Sequence, residues 1–106
     1  MKNHKITVRD RSISVDDKRI VANSINIDTI TLDLDEEWSG YTVYIVLGSG
    51  KNVYRAKWGY LPLTFPKPLM GKPGFIPVSI VGVSGSRRIT TKRATNAFRV
   101  IPSGQI

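Results

Sequence analysis

The sequence contains no cysteine and only one histidine, His4. The lack of cysteine excludes disulfide scaffolds, thiolate metal sites and cysteine nucleophiles. A single histidine close to the N-terminus argues against a multi-histidine metal site and against a Ser–His–Asp triad. Neither of the glycine-rich phosphate-binding patterns, G-x-x-x-x-G-K-[ST] and G-x-G-x-x-G, is present. We therefore expect a protein with no enzymatic activity, no cofactor and no metal.

Long apolar runs are missing as well. The longest, Tyr41–Leu47 and Phe75–Val83, are far shorter than the roughly 18 residues that a membrane-spanning helix needs. Near the N-terminus, Arg9, Asp10 and Arg11 interrupt the only stretch that would resemble the apolar part of a secretory signal. The sequence thus predicts neither a membrane partner nor Sec-type export from the cytoplasm in which the protein is made.

Acidic residues are absent from the last two thirds of the chain. All eight lie between Asp10 and Glu37, so residues 1–37 carry six basic and eight acidic side chains, a net charge of 6 − 8 = −2. Residues 38–106 carry ten basic side chains and no acidic one, a net charge of +10. Such a field attracts nucleic acid, an anionic glycan or membrane, or an acidic protein surface. A basic surface that only keeps the protein in solution explains the charge equally well.

Apolar and polar residues alternate along most of the chain, which is typical of β-strands. The spacing predicts an all-β domain of about eight or nine short strands in a sandwich or barrel. The alternation changes phase at Asp28–Ile30, which predicts a β-bulge or a sheet crossover there. With 106 residues, 41% of them hydrophobic, the chain is the size of one domain. We expect that domain to span residues 1–104, with residues 102–106 forming a segment that leaves it.

Glycine and proline mark the connections between these strands. Gly48-Ser49-Gly50 and the Gly82–Ser86 segment predict hairpins, because glycine reaches positive φ without steric cost. The proline- and glycine-rich segment Pro66–Gly74 predicts a crossing loop. Helical structure is expected at most as single turns, near Asp35–Ser39 and near Pro68–Gly71.

An acidic cluster occupies residues 33–37. Asp33 and Asp35 would share one face of a strand and could converge on a cation. A calcium loop starting at Asp33 would need glycine at its sixth position and glutamate at its twelfth, where Trp38 and Tyr44 stand. A solvated strand end followed by a turn is therefore the favoured interpretation.

The candidate interaction surface combines basic and aromatic residues. Trp58 and Tyr60, close to two cations, could stack on bases or sugars, although a tryptophan in a small β domain is more often part of the core. A carbohydrate-binding face would need both rings exposed on one flat surface. The basic run at residues 87–93 predicts either a polyanion site or the protection of an edge strand against aggregation. The complete candidate set is Arg55, Lys57, Trp58, Tyr60, Arg87, Arg88, Lys92 and Arg93.

Three segments carry a resemblance to a known family. The segments Leu34–Tyr41, Pro73–Val83 and Arg88–Thr91 are similar to three features of small virion modules. These are a turn with acidic residues, Trp, Asp or Ser, Gly, and Tyr or Leu; a strand that begins with Pro-Gly; and an Arg-Ile-Thr-Thr strand. These modules occur in tailed phages and prophages of Gram-positive bacteria. Ile101–Gly104 resembles the point at which longer relatives continue into stalk or fibre segments. Pro77, inside the second segment, and the high basic charge depart from the family pattern.

The resemblance implies an Ig-like antiparallel β-sandwich with a structural role in a virion. Expected roles are capsid decoration, anchoring of a head fibre, or anchoring at the tail or baseplate, with capsid or tail proteins as partners. Self-association into a homo-oligomer stays open. The alternative function is a polyanion-binding module for nucleic acid or an anionic glycan that uses the basic residues beyond position 37.

Overall fold

The computed structural model describes residues 2–24 and 27–102, and over these ranges the chain is built from ten β-strands and two single 3₁₀ turns. The all-β prediction is confirmed, with slightly more strands than expected. The turns span Glu36–Trp38 and Lys67–Met70, where the sequence predicted them. No helix within these ranges is long and apolar enough to cross a membrane. The strands are β1 (Lys2–Arg9), β2 (Ser12–Val15), β3 (Arg19–Val21), β4 (Asp28–Leu34), β5 (Thr42–Ser49), β6 (Asn52–Lys57), β7 (Leu63–Thr64), β8 (Gly74–Ser84), β9 (Arg87–Thr90) and β10 (Ala94–Ile101).

The strands form two sheets arranged as a sandwich. One sheet has four strands in the order β2-β1-β4-β7, and the other has six, with the order β3-β10-β8-β5-β6 and β9 on the edge of β8. Six of the strand pairs are antiparallel, as predicted, whereas β1–β4 and β3–β10 are parallel. The two parallel pairs distinguish this sandwich from an all-antiparallel constant-type Ig arrangement.

Side chains at alternate strand positions fill the space between the sheets. In β1 these are His4, Ile6 and Val8, all fully buried. The rings of Phe65 and Phe98 meet edge to face with their centroids 5.2 Å apart, a favourable aromatic geometry. Burial of this apolar surface, worth about 25 cal/mol per Å², is the main source of stability.

The first 3₁₀ turn is attached to the core through Trp38. Its indole is only 2% exposed and packs against Gly82 of β8. A Cβ atom at Gly82 would lie 2.8 Å from Ile89 Cγ2 and 3.2 Å from Trp38 Cε3. Position 82 therefore needs glycine because the ring and the neighbouring strand approach the backbone so closely.

Both predicted hairpins are confirmed. The ladder between β5 and β6 extends to the pair Ser49–Asn52 at the hairpin, and the ladder between β8 and β9 extends to the pair Ser84–Arg87. Gly48, within the first hairpin, has φ of +89°, and a Cβ there would lie 2.0 Å from the carbonyl oxygen of Asn52. The proline- and glycine-rich segment carries the second 3₁₀ turn and crosses from β7 in one sheet to β8 in the other.

The predicted β-bulge or sheet crossover at Asp28–Ile30 is wrong in both forms. β1 and β4 stay in one continuous register from Lys2–Asp28 to Val8–Leu34. The apparent change of phase arises because Asp28, a polar residue, occupies an inward position where it meets His4. The part of the pattern at residues 25 and 26 lies outside the described residues.

A register shift occurs instead between β8 and β10. Ala94 pairs with Val78 and Phe98 pairs with Ile76, so three residues of β10 lie opposite Pro77 alone. Proline has no N–H to donate to a ladder and is tolerated at such an irregularity. Pro77 therefore lies within β8 without ending it.

A candidate docking face on the six-stranded sheet

The outward side of the six-stranded sheet combines apolar and basic side chains. In-register partners on neighbouring strands project to the same side of a sheet. Tyr44 of β5 pairs with both Lys57 of β6 and Val81 of β8, and Val83 of β8 pairs with Arg88 of β9. We call this surface the basic sheet face and define it by Tyr44, Val46, Arg55, Lys57, Val81, Val83 and Arg88.

The centre of the basic sheet face is concave. Arg55 and Arg88 stand on opposite sides of an apolar stripe, and together with Tyr44, Val81 and Val83 they line a concavity of about 270 Å³. Val83 is 39% exposed although it lies within a strand. Because large exposed apolar patches rimmed by polar residues often mark interaction sites, this concavity is the candidate docking site.

The same side of the sheet continues along β8 to its other end. Phe75 is 64% exposed, and the Arg99 guanidinium lies 5.9 Å from the centroid of its ring. Arg19 of β3 is in register with Arg99, which adds a second guanidinium. Phe75, Arg99 and Arg19 were not among the candidate residues predicted from the sequence. Their signal was the alternation of Phe75, Val81 and Val83 along one side of β8.

The cations of the basic sheet face have no acidic partner among the described residues. Arg55, Lys57 and Arg88 form no ion pair within the described residues, and the sequence from position 38 onward contains no acid. Their field therefore extends toward a partner over about a Debye length, 8–10 Å at ordinary salt. Among the described residues, the ion pairs between basic and acidic side chains all lie within residues 2–37 and are Lys2–Asp17, Arg9–Asp33, Arg11–Glu37 and Arg19–Asp17.

The outward side of the four-stranded sheet has a different character. Its in-register positions carry hydroxyl groups and charges of both signs: Thr7 pairs with Ser14 of β2 and with Asp33 of β4, and Lys5 pairs with Thr31 of β4. Asn3 donates a hydrogen bond of 2.9 Å to the Thr31 hydroxyl across the same side. This surface is suited to water, so the two sheets divide into a solvated side and a basic, partly apolar side.

The structure brings together three of the eight predicted surface residues, namely Arg55, Lys57 and Arg88. Arg87 is at the exposed end of β9 and alternates to the other side of the strand. Lys92 and Arg93 follow β9, in a segment held to the β1–β2 turn by a hydrogen bond of 2.9 Å from the Lys92 N–H to the Arg11 carbonyl.

The two aromatic candidates, Trp58 and Tyr60, differ in how far their side chains are exposed to solvent. Trp58 is only 6% exposed and belongs to the core, whereas Tyr60 is 72% exposed. Their ring centroids lie 5.8 Å apart with planes tilted by 52°, so they do not form a flat platform. The carbohydrate-binding interpretation, which needed both rings exposed on one face, is therefore wrong.

The acidic cluster forms a strand end and a turn. Arg9 pairs with Asp33 at 2.9 Å, and Arg11 donates two hydrogen bonds of 2.9 Å to Glu37. The hydrogen bonds to Glu37 raise the pKa of Arg11 above its ordinary value. Over the described ranges, no group of three or more His, Asp or Glu side chains is placed to hold a metal ion.

His4 has a structural role that its position in the sequence did not reveal. Its side chain is fully buried, with Nδ1 2.6 Å from the Asp17 carbonyl oxygen and Nε2 2.7 Å from Asp28 Oδ1. The ring also meets Phe98 edge to face at 5.7 Å. Because both ring nitrogens are engaged and shielded from solvent, His4 cannot act as an acid, a base or a metal ligand on a substrate.

The architecture is thus that of a two-sheet, all-β sandwich domain. A solved structure with a similar fold is the N-terminal domain of phage TP901-1 ORF48. It superimposes with a TM-score of 0.61 over 98% of this chain and 100% of the phage domain, at 15% sequence identity. No protein-family model and no curated protein matches the chain.

Proposed function

We propose that this chain is a non-enzymatic structural module of a bacteriophage virion that docks on an acidic surface of a capsid or tail protein. The observation that carries the proposal is the basic sheet face, in which an apolar stripe lies between cations that have no acidic partner among the described residues. The similarity in fold to a phage protein domain supports the setting. The role is capsid decoration, anchoring of a head fibre, or anchoring at the tail or baseplate.

Docking on this face proceeds in three steps: electrostatic attraction, binding of carboxylates, and burial of apolar side chains. The unneutralised cations steer an acidic surface toward the sheet before contact. Arg55 and Arg88 then bind carboxylates at the rim, since a guanidinium can hold a carboxylate through two parallel hydrogen bonds. Burial of Val81 and Val83 between the partners adds a hydrophobic contribution. A virion offers the same site many times, so avidity can compensate for a modest affinity at each site.

The test is co-sedimentation of the purified protein with particles of the phage or prophage that encodes it. Arg55→Glu combined with Arg88→Glu reverses the charge on both sides of the stripe and should weaken binding by at least about tenfold. Lys5→Glu combined with Lys67→Glu is the matched control, because it makes the same change in net charge at exposed positions outside the face. Equal loss in both double variants, or no binding by the unaltered protein, would refute the proposal.

Cryo-electron microscopy of the same particles then assigns the location. Density for a two-sheet sandwich on the capsid lattice assigns a decoration protein or head-fibre anchor. Density at the tail assigns a tail or baseplate anchor. Absence of such density from both places would exclude a virion role.

The second candidate is a polyanion-binding module for nucleic acid or an anionic glycan. This candidate is favoured by the charge of residues 38–106, which include ten basic residues and no acidic residue. The apolar stripe between Arg55 and Arg88, in which Val83 is exposed and Val81 is half-buried, favours a protein partner instead, because phosphate or sulfate groups gain nothing from contact with these valines. Titration with duplex DNA and with heparin at several salt concentrations separates the two. A polyanion binder loses affinity with a log–log slope of about −0.9 per phosphate neutralised.

A further inference from the structure

A second concavity, of about 310 Å³, has the opposite character from the basic sheet face. It lies where the end of β4, the first 3₁₀ turn and the segment after β6 meet. Carboxylates and aromatic rings both contribute to its walls. We call it the acidic groove and define it by Asp33, Asp35, Glu36, Trp38, Trp58 and Tyr60.

Two of the residues that line the groove each carry a buried polar atom without a partner. Among the residues that the structure describes, Asp35 Oδ1 and Trp38 Nε1 are the buried side-chain polar atoms that form no hydrogen bond. Trp38 is 98% buried, and the Cε3 edge of its ring faces Gly82, so Nε1 lies on the opposite edge of the ring. The other oxygen of Asp35 accepts a 2.9 Å hydrogen bond from the Asp10 N–H, which fixes the carboxylate. Buried polar groups are nearly always paired, so this donor and this acceptor are positioned for an incoming group.

The loop beside the groove presents two large apolar side chains to solvent. Tyr60 and Leu61 are each 72% exposed. Tyr60 also has φ of +62°, a left-handed conformation that costs energy for a residue with a side chain. Exposed aromatic residues held in strained loops are typical of binding sites, because such a side chain serves as an anchor in a protein interface.

We propose that the acidic groove binds an arginine or lysine side chain on an exposed segment of a partner protein. The cation lies against the exposed ring of Tyr60 and pairs with the Asp35 carboxylate. The Trp38 Nε1–H donates a hydrogen bond to a backbone carbonyl of the same segment. A protein segment supplies both the cation and the carbonyl, and its positive charge is complementary to Asp35 and Glu36.

This inference is independent of the proposed function, because it concerns a different surface and a partner of opposite charge. The basic sheet face takes an acidic surface and the acidic groove takes a basic segment. A domain with both sites can connect two different proteins.

The test uses capped tripeptides as probes and the two indole N–H signals of the ¹⁵N-labelled protein as readout. N-acetyl-Gly-Arg-Gly-amide should move the assigned Trp38 indole signal in a saturable way at up to about 10 mM, where a millimolar Kd approaches saturation. The citrulline peptide, which has nearly the same shape but no charge, should bind at least about tenfold more weakly. The glutamate peptide should leave the signal in place. No shift with the arginine peptide, or equal shifts with all three, would overturn the proposal.

Variants then distinguish the groove from general electrostatic attraction. Asp35→Asn should weaken binding of the arginine peptide by at least about tenfold, since it removes the charge from the buried oxygen. Asp10→Asn is the matched control, because it removes one negative charge nearby and asparagine tolerates the left-handed backbone of position 10. Equal weakening by the two variants would refute a specific site. Glu36→Gln, at an exposed position, provides the same test if Asp35→Asn impairs folding.

Discussion

Removing the Asp28 carboxylate from the core should destabilise the protein far more than removing a similar group from the surface. Asp28 is 5% exposed, and its Oδ1 lies 2.7 Å from Nε2 of the fully buried His4. The other ring nitrogen of His4, Nδ1, is hydrogen-bonded to the Asp17 carbonyl oxygen at 2.6 Å. In Asp28→Ala, His4 Nε2 is left in the core with no partner and no access to water.

The size of the effect follows from that geometry. Breaking a buried pair by removing one partner costs about 3–5 kcal/mol, because the remaining polar group keeps its full desolvation penalty. In Asp28→Asn the side-chain amide can donate a hydrogen bond to Nε2 while Nδ1–H still donates to the Asp17 carbonyl. The cost of Asp28→Asn should therefore be no more than about 1.5 kcal/mol.

Urea denaturation followed by tryptophan fluorescence measures these differences, since Trp38 and Trp58 are both buried. With an m-value of about 2 kcal/mol/M, Asp28→Ala should lower the unfolding midpoint by about 1.5–2.5 M. The control is Asp33→Ala on the outward side of the same strand, where an exposed ion pair with Arg9 is worth at most about 1 kcal/mol. Equal midpoints for Asp28→Ala and Asp28→Asn, or for Asp28→Ala and Asp33→Ala, would refute the reasoning.

Three further predictions concern single positions. Gly82→Ala should cost about 1–3 kcal/mol in urea denaturation because its Cβ would meet Ile89 Cγ2 at 2.8 Å, whereas Gly59→Ala, with open space around it, should be nearly neutral. Gly48→Ala should destabilise the β5–β6 hairpin, seen as faster amide exchange there, since the new Cβ would lie 2.0 Å from a backbone oxygen. The Lys2 ammonium and the Arg19 N–H lower the pKa of Asp17 from 3.8 to about 2, so its stabilising effect is present above pH 3.8 and is lost as the pH falls through 2. A carboxyl NMR titration should show this low pKa, and Lys2→Met should raise it; an unchanged value would assign the shift to another cause.

Alternation and turn chemistry predicted most of the fold because these signals are local. The hairpins at Gly48–Gly50 and Gly82–Ser86 and the turn that contains Trp38 depend on residues next to one another in the chain. The parallel pairing of β1 with β4 depends on a contact between distant segments. The apparent phase change at Asp28 was misleading because a polar residue can face inward when a buried histidine meets it.

The candidate surface was predicted only in part, for a related reason. Charge was enough to select Arg55, Lys57 and Arg88, but their grouping required the strand register. Composition alone could not show whether the Trp58 side chain is buried or exposed. The acidic groove needed three-dimensional information, because its unpartnered atoms are recognisable only when every neighbouring group is known.

The pairing of β3 with β10 has a consequence for how the chain folds. Residues 19–21 form their ladder with residues 99–101, and Ala22 N–H donates to the Ile101 carbonyl at 2.9 Å. That edge of the sheet can close only after residues 99–101 have been synthesised, so β3 stays unpaired until then. All-β domains with such distant pairings fold in about milliseconds to seconds. We expect β3 to be the last strand to gain protection in a refolding experiment.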